Sequence, residues 1–159
     1  MPGQHQDYML GQIQLLGEFV ARLLRRRDEA GLQEAIQLAL YLQEKLFAMP
    51  AAEFLRLEVS AQIAELKKGE SKEEGHAKCL SYATLLKETA TLYALGGKND
   101  LATGARQLAL YVVLSVAVDQ PTGDTSTNVL LAELNASLAG TELHPPVREL
   151  QEKFDQRGR

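Results

Sequence analysis

His76 and Cys79 lie three residues apart, a spacing that on a helix puts an imidazole and a thiol within reach of one metal ion or of each other. A zinc site takes three or four such ligands, and no second His/Cys pair lies near, so no metal ligand set is expected. A cysteine nucleophile needs a base and a group that orients it, and only His76 is within helical reach of Cys79. The pair is expected to be a small buried thiol beside a solvated histidine near a helix start. His5 and His144 stand apart and read as capping or exposed side chains. Gly96-Gly97-Lys98 and Gly123-Asp124-Thr125 hold fragments of phosphate loops, but neither has the full glycine spacing with a Lys-Ser/Thr pair ahead of a helix. The hydroxyls between Thr122 and Thr127 lack a Gly-x-Ser-x-Gly elbow. These residues name no catalytic group and no cofactor, and a non-enzymatic protein is expected.

Arg22 with Arg25-Arg26-Arg27 forms the one dense basic patch. Cations there suit the negative end of a helix dipole, and they also suit an acidic peptide or a phosphate. Nucleic acid is disfavoured, because aromatic interleaving is missing and 17 basic against 21 acidic residues leave a net charge of −4. Arg22, Arg25 and Arg26 are therefore the candidate partner contacts. Tyr41 and Tyr111 read as packing residues with hydroxyls at a polar rim. Glu73-Glu74 and Lys67-Lys68 read as solvated helix ends.

The elements that position these groups are read from apolar periodicity. Met9, Ile13, Leu16, Val20 and Leu23 step by three and four, widened by Leu10, Phe19 and Leu24, and predict a helix over Gln6 to Arg27 with Gly31 just beyond it. A second helix is expected from about Leu32 to Ala48, covered on more than one side and lying inward. Ala51 to Lys68 predicts one short helix or two. Ser71-Lys72-Glu73-Glu74 has capping-box spacing and starts a long helix that ends at Gly96-Gly97. Asn99 or Asp100 caps the next, which Pro121 stops. Its apolar run, Leu108 to Val118, is β-branched enough to suggest a strand, yet no second such run exists to pair with it. A bilayer span needs about 20 apolar residues, so the run is expected to be a core helix and no membrane contact is implied. Pro121 to Asn128 reads as a mobile polar loop, Val129 to Leu138 as a short helix, and His144-Pro145-Pro146 as the start of a last helix that frays from Gln156.

A repeat organises these elements. Ala35 to Tyr41 (Ala-Ile-Gln-Leu-Ala-Leu-Tyr) recurs as Ala105 to Tyr111 (Ala-Arg-Gln-Leu-Ala-Leu-Tyr), 70 residues on, and Leu15-Leu16-Gly17-Glu18 is echoed by Leu85-Leu86-Lys87-Glu88 at the same offset. One all-α domain over residues 1–159 is expected, with repeat unit one at about 7–50, unit two at about 72–121 and C-terminal helices at about 126–156, some six to eight helices in all. With 45% hydrophobic residues the chain can bury a sizeable core. The lone Cys79 makes no internal disulfide, and no basic-then-apolar leader opens the sequence, so a cytoplasmic location is expected.

Ala30-Gly31 followed by Glu34-Ala35, Leu92-Tyr93 ahead of Gly96-Gly97, and the later Ala105 and Ala109 resemble tetratricopeptide-type (TPR-like) units. An offset of 70 rather than that family's roughly 34 residues implies TPR-like hairpins without a regular superhelix. Asp7-Tyr8-Met9-Leu10 with Ile13, Leu16 and Phe19 to Leu24, followed by the Glu34-Ala35 helix, resembles a bacterial family of all-helical proteins classed only as a domain of unknown function. That likeness implies a fold and no site. Stacked helix pairs leave a groove, so the expected function is a protein-interaction or scaffold module with a peptide or protein partner. Self-association is a second expectation. The competing class, a small-ligand sensor or an enzyme with an internal cavity, would need polar residues converging on an enclosed pocket.

Overall fold

The computed structural model describes residues 2–120 and 124–157, and the side chains of 8–120 and 124–157. His5 as a side chain, and the Pro121 to Gly123 part of the expected loop, lie outside the described residues. The described residues form eight helices and no strand: α1 (Pro2–Arg25), α2 (Glu29–Phe47), α3 (Ala51–Phe54), α4 (Val59–Lys67), α5 (Lys72–Leu95), α6 (Asn99–Asp119), α7 (Thr125–Ser137) and α8 (Pro145–Arg157).

The repeat in the letters is a repeat in the helices. α1 and α5 end 70 residues apart, at 25 and 95, and α2 and α6 start at 29 and 99. The buried seam of α1, Met9, Ile13, Leu16 and Val20, recurs in α5 as Cys79, Ala83, Leu86 and Ala90, all buried. Smaller residues in the second copy let helices approach α5 from more directions. It packs against α1, α2, α4, α6 and α7, whereas α1 packs on α2 and α5. The inward helix is thus α5, not α2. α2 buries Leu32, Ala35, Ala39, Leu42 and Leu46 on one face and leaves Leu40 and Tyr41 exposed.

Local chemistry explains where the elements begin and end. Ser71 Oγ accepts from the Glu74 amide at 3.1 Å and caps α5. Asp28 does the same for α2, accepting from Ala30 at 3.2 Å, so α2 starts three residues before the expected Leu32. Gly31 is then no helix stop. It sits buried in the first turn of α2, where an added Cβ would lie 3.3 Å from a Leu23 methyl. α6 starts at Asn99 with Lys98 before it and no side-chain cap, in place of the expected Asn99 or Asp100. α7 begins at Thr125, which turns half of the expected loop into helix. α8 runs past Gln156 to Arg157, because the Arg157 guanidinium donates to the Ala117 carbonyl of α6. Ala51 to Lys68 makes two short helices, α3 and α4.

Buried polar side chains join the helices. Tyr82 of α5 donates to Gln62 of α4 at 2.9 Å, and Gln62 donates on to the Phe54 carbonyl at 3.0 Å. Gln43 of α2 donates to Thr89 of α5 at 3.2 Å. Gln107 of α6 accepts from the His144 amide at 2.7 Å and donates to the Glu142 carbonyl, holding the entry to α8. Phe47 stacks on Phe54 at 4.5 Å and meets Tyr82 edge-on at 4.9 Å. Among the described residues one helix, α6, is long and apolar enough to cross a bilayer, and half of its most apolar window is buried inside the fold against α5, α7 and α8.

Candidate functional site

The residues with chemical potential in the sequence separate in space. His76 is buried rather than solvated, and its Nε2 hydrogen-bonds Asp119 Oδ2 at 3.0 Å, tying the first turn of α5 to the last of α6. This bond, with Lys72 and Lys67 nearby, holds the Asp119 carboxyl below the usual aspartate range. Cys79 is wholly buried, and burial raises its thiol to about 11, above the range of a reactive thiolate. Among the described residues no three His, Cys, Asp or Glu side chains converge as a metal site would require.

The arginines are only partly brought together. Arg22 and Arg26, one turn apart, line a cleft of about 640 Å³ at the α1–α2 turn with Arg27, Phe19, Asp28 and Glu34, whereas Arg25 lies on another face. Arg27 pairs with Glu29 at 2.7 Å, and the Arg22 guanidinium lies 5.4 Å from the Phe19 ring centre. Asp28 and Glu34 place two carboxylates in the same cleft.

A longer depression runs between α1 and α7 with α5 as its floor. Its first hollow, about 580 Å³, is lined on α1 by Leu10, Ile13 and Gln14, on α5 by residues from Ala77 to Lys87, and on α7 by Thr125, Val129 and Glu133 among others. The second, about 360 Å³, continues along Gly17, Ala21 and Leu24 of α1, past Glu88 and Thr91, to Arg106 and Ser137. Both hollows share Lys87 and Glu133, whose side chains meet at 2.6 Å and form a waist. Small residues make the trough: Gly17 and Ala21 on one wall and Ala77, Ser81 and Thr84 on the floor. Leu10, Leu24 and Val129, 48%, 59% and 51% exposed, stand along its rims.

The floor carries an unbalanced charge. Lys87 Nζ serves Glu133 at 2.6 Å and Glu88 at 3.8 Å, one cation between two carboxylates. Burial, and secondarily the Glu133 charge, raises the Glu88 carboxyl above its ordinary value, although Lys87 opposes this. Asp124 adds a further acid at one end and Arg106 a base at the other. In the sequence Lys87 and Glu88 mark only the repeat, and Glu133 carries no signal. The signal for the groove lies on α1, where Leu10, Gln14, Gly17, Ala21 and Leu24 step by three and four beside the core seam, and Leu10 and Leu24 stand on the groove rims instead of widening that seam.

Fold and depression together define an all-helical protein with a repeated helix pair and an open, three-walled groove. No family model matches the chain, and neither a curated protein nor a solved structure matches it.

Proposed function

We propose that the protein is a non-enzymatic, cytoplasmic interaction module of TPR-like hairpins, and that the groove between α1 and α7 receives an amphipathic helix of a partner protein. One observation carries this reading: the groove has apolar rims at Leu10, Leu24 and Val129 and is left open by every described element. From Leu10 to Leu24 it extends about 21 Å, four turns of helix at about 1.5 Å per residue. Apolar residues spaced i, i+3 or i+4 and i+7 would seat on such rims. Because Lys87 faces both Glu88 and Glu133, the partner helix carries a lysine or arginine near its midpoint. Arg22 and Arg26, with Arg25 beyond the cleft, offer an acidic flank of the partner a second contact.

Selection of helical peptides from a random library against the protein tests this reading. The enriched sequences are expected to share an apolar stripe and a central basic residue, and to lose at least about tenfold in affinity to Val129→Glu or Leu10→Glu. A small further loss is expected with Arg22→Glu and Arg26→Glu together. Enrichment of nothing, or binding that both groove variants leave intact, would overturn it.

A further inference from the structure

The repeat also says what is missing from one side of α1. In unit two, the side of α5 formed by Tyr82, Leu85, Thr89 and Leu92 is buried. α2 packs there, with Gln43 bonded to Thr89 and Phe47 against Tyr82. Seventy residues earlier, the same positions of α1 are Gln12, Leu15, Phe19 and Arg22, of which Phe19 is partly buried, and no described element takes the place of α2. Leu85 is fully buried, whereas Leu15 is 55% exposed, and Tyr8, one turn further along that side, is 62% exposed. At the opposite end of the repeat the corresponding place is filled. α8 lies on α6, where Arg157 reaches the carbonyl of Ala117, the counterpart of Phe47, and turns its charged residues Arg148, Glu149, Glu152 and Lys153 outward.

We infer that the Tyr8, Leu15, Arg22 side of α1 is a self-association surface, on which a second copy of this chain lays its own α1 antiparallel about a two-fold axis at Leu15. A head-to-tail stack is closed off, because α8 covers the face of α6 that would have to be offered. In the two-fold arrangement Leu15 meets Leu15, and residues equally far on either side of it face each other. Phe19 then falls opposite Gly11, where a Cβ would touch nothing within 4 Å, so the large ring is met by open space. Arg22 falls opposite Tyr8, a cation against an aromatic ring. The arginine-rich ends of the two helices lie about 30 Å apart at about 1.5 Å per residue, beyond the screening length at physiological salt, whereas a parallel pair would set them side by side. A contact through one helix per copy sits at the low end of interface sizes, so a reversible dimer at micromolar concentration is expected. The groove between α1 and α7 lies on another side of α1 and stays open in this dimer, with Arg22 taken up by the second copy and Arg26 left to the acidic flank of a groove-bound partner.

Sedimentation of the full chain across a concentration series tests the pairing. The wild type is expected to pass from monomer to dimer. Leu15→Glu, at an exposed position, is expected to raise the dissociation constant at least about tenfold while the helical circular dichroism and melting temperature hold. The Leu15→Cys variant is expected to form a disulfide-linked dimer under mild oxidation, whereas Leu40→Cys does not, Cys79 being buried in both. A wild type that remains monomeric at every concentration would overturn the inference, as would a dimer that Leu15→Glu leaves intact. If the chain is monomeric and Leu15→Glu instead abolishes binding of another protein, the face belongs to that partner and the inference also fails. Peptide binding in the groove is read separately, through Val129→Glu.

Discussion

At the scale of single residues, withdrawal from water is the main cause that raises both the Glu88 carboxyl and the Cys79 thiol. Glu88 is a carboxyl raised because it is withdrawn from water with only a share of Lys87 to answer it. A carboxyl raised in the folded state favours folding while protonated, below its unfolded value, and that contribution is lost as pH rises through the folded value. At neutral pH Glu88 therefore costs stability. Glu88→Gln is expected to raise the melting temperature at pH 7 and to leave little difference from wild type near pH 4, as scanning calorimetry at the two pH values would show. A base brought by a partner helix would relieve the same cost, so the variant is expected to be more stable and to bind basic peptides less well. Cys79 is the plainer case. With its thiol raised to about 11 and no exposed surface, the native protein is expected to resist maleimide at neutral pH and to label fully once unfolded, which intact mass measurement reads directly.

At the scale of elements, helix periodicity in α1 and the Ser71 cap of α5 were legible because each is local: an apolar step of three or four, and a hydroxyl three residues from the amide it accepts from. The misread places share the opposite property. Gly31 has the look of a stop signal, yet its missing Cβ serves the approach of Leu23 from another helix. His76 has the look of a surface residue near a helix start, yet Asp119, 43 positions away, makes it a buried clamp. Thr125 to Asn128 has loop composition, yet Asp124 stands before it and accepts from Thr127 at 3.4 Å as α7 begins. The groove was hidden for the same reason, since Lys87, Glu88 and Glu133 gain meaning only when α7 is set against α5. Long-range polar joints of this kind carry a testable cost. Gln62→Ala leaves the buried Tyr82 hydroxyl without its acceptor and the Phe54 carbonyl with the Leu57 amide as its remaining donor, and is expected to cost about 1–3 kcal/mol in urea unfolding, with the helix content of the native state unchanged.

At the scale of the whole molecule, the duplicated pair gives two nearly equal frames that the remaining helices treat differently. In unit two α7 and α8 follow α6 and cover it; in unit one α3 and α4 follow α2, and α4 leans on α5 instead. Equivalent residues consequently meet different fates, as Leu40 at 41% exposure and Leu110 at 0% illustrate. The letters announce the equivalence and are silent about the asymmetry, because which copy is covered depends on where the connecting segments run. It is this asymmetry that leaves α1 with one side lining a groove and another bare.

The position of α5 governs how the molecule comes apart. Long repeat arrays lose their terminal units one at a time, since each unit touches only its neighbours. Here a single helix from the second half supplies core to α1, α2 and α4 from the first. Neither half retains a closed interior without it. Denaturant titrations followed by tyrosine fluorescence and by helical circular dichroism should therefore superimpose on one transition, and the slowest-exchanging backbone amides should gather around Leu85 and Leu86. A protease that nicks the chain after Gly69 would not release a stable half. The two helix pairs repeat in sequence, and the sharing of α5 takes away their independence.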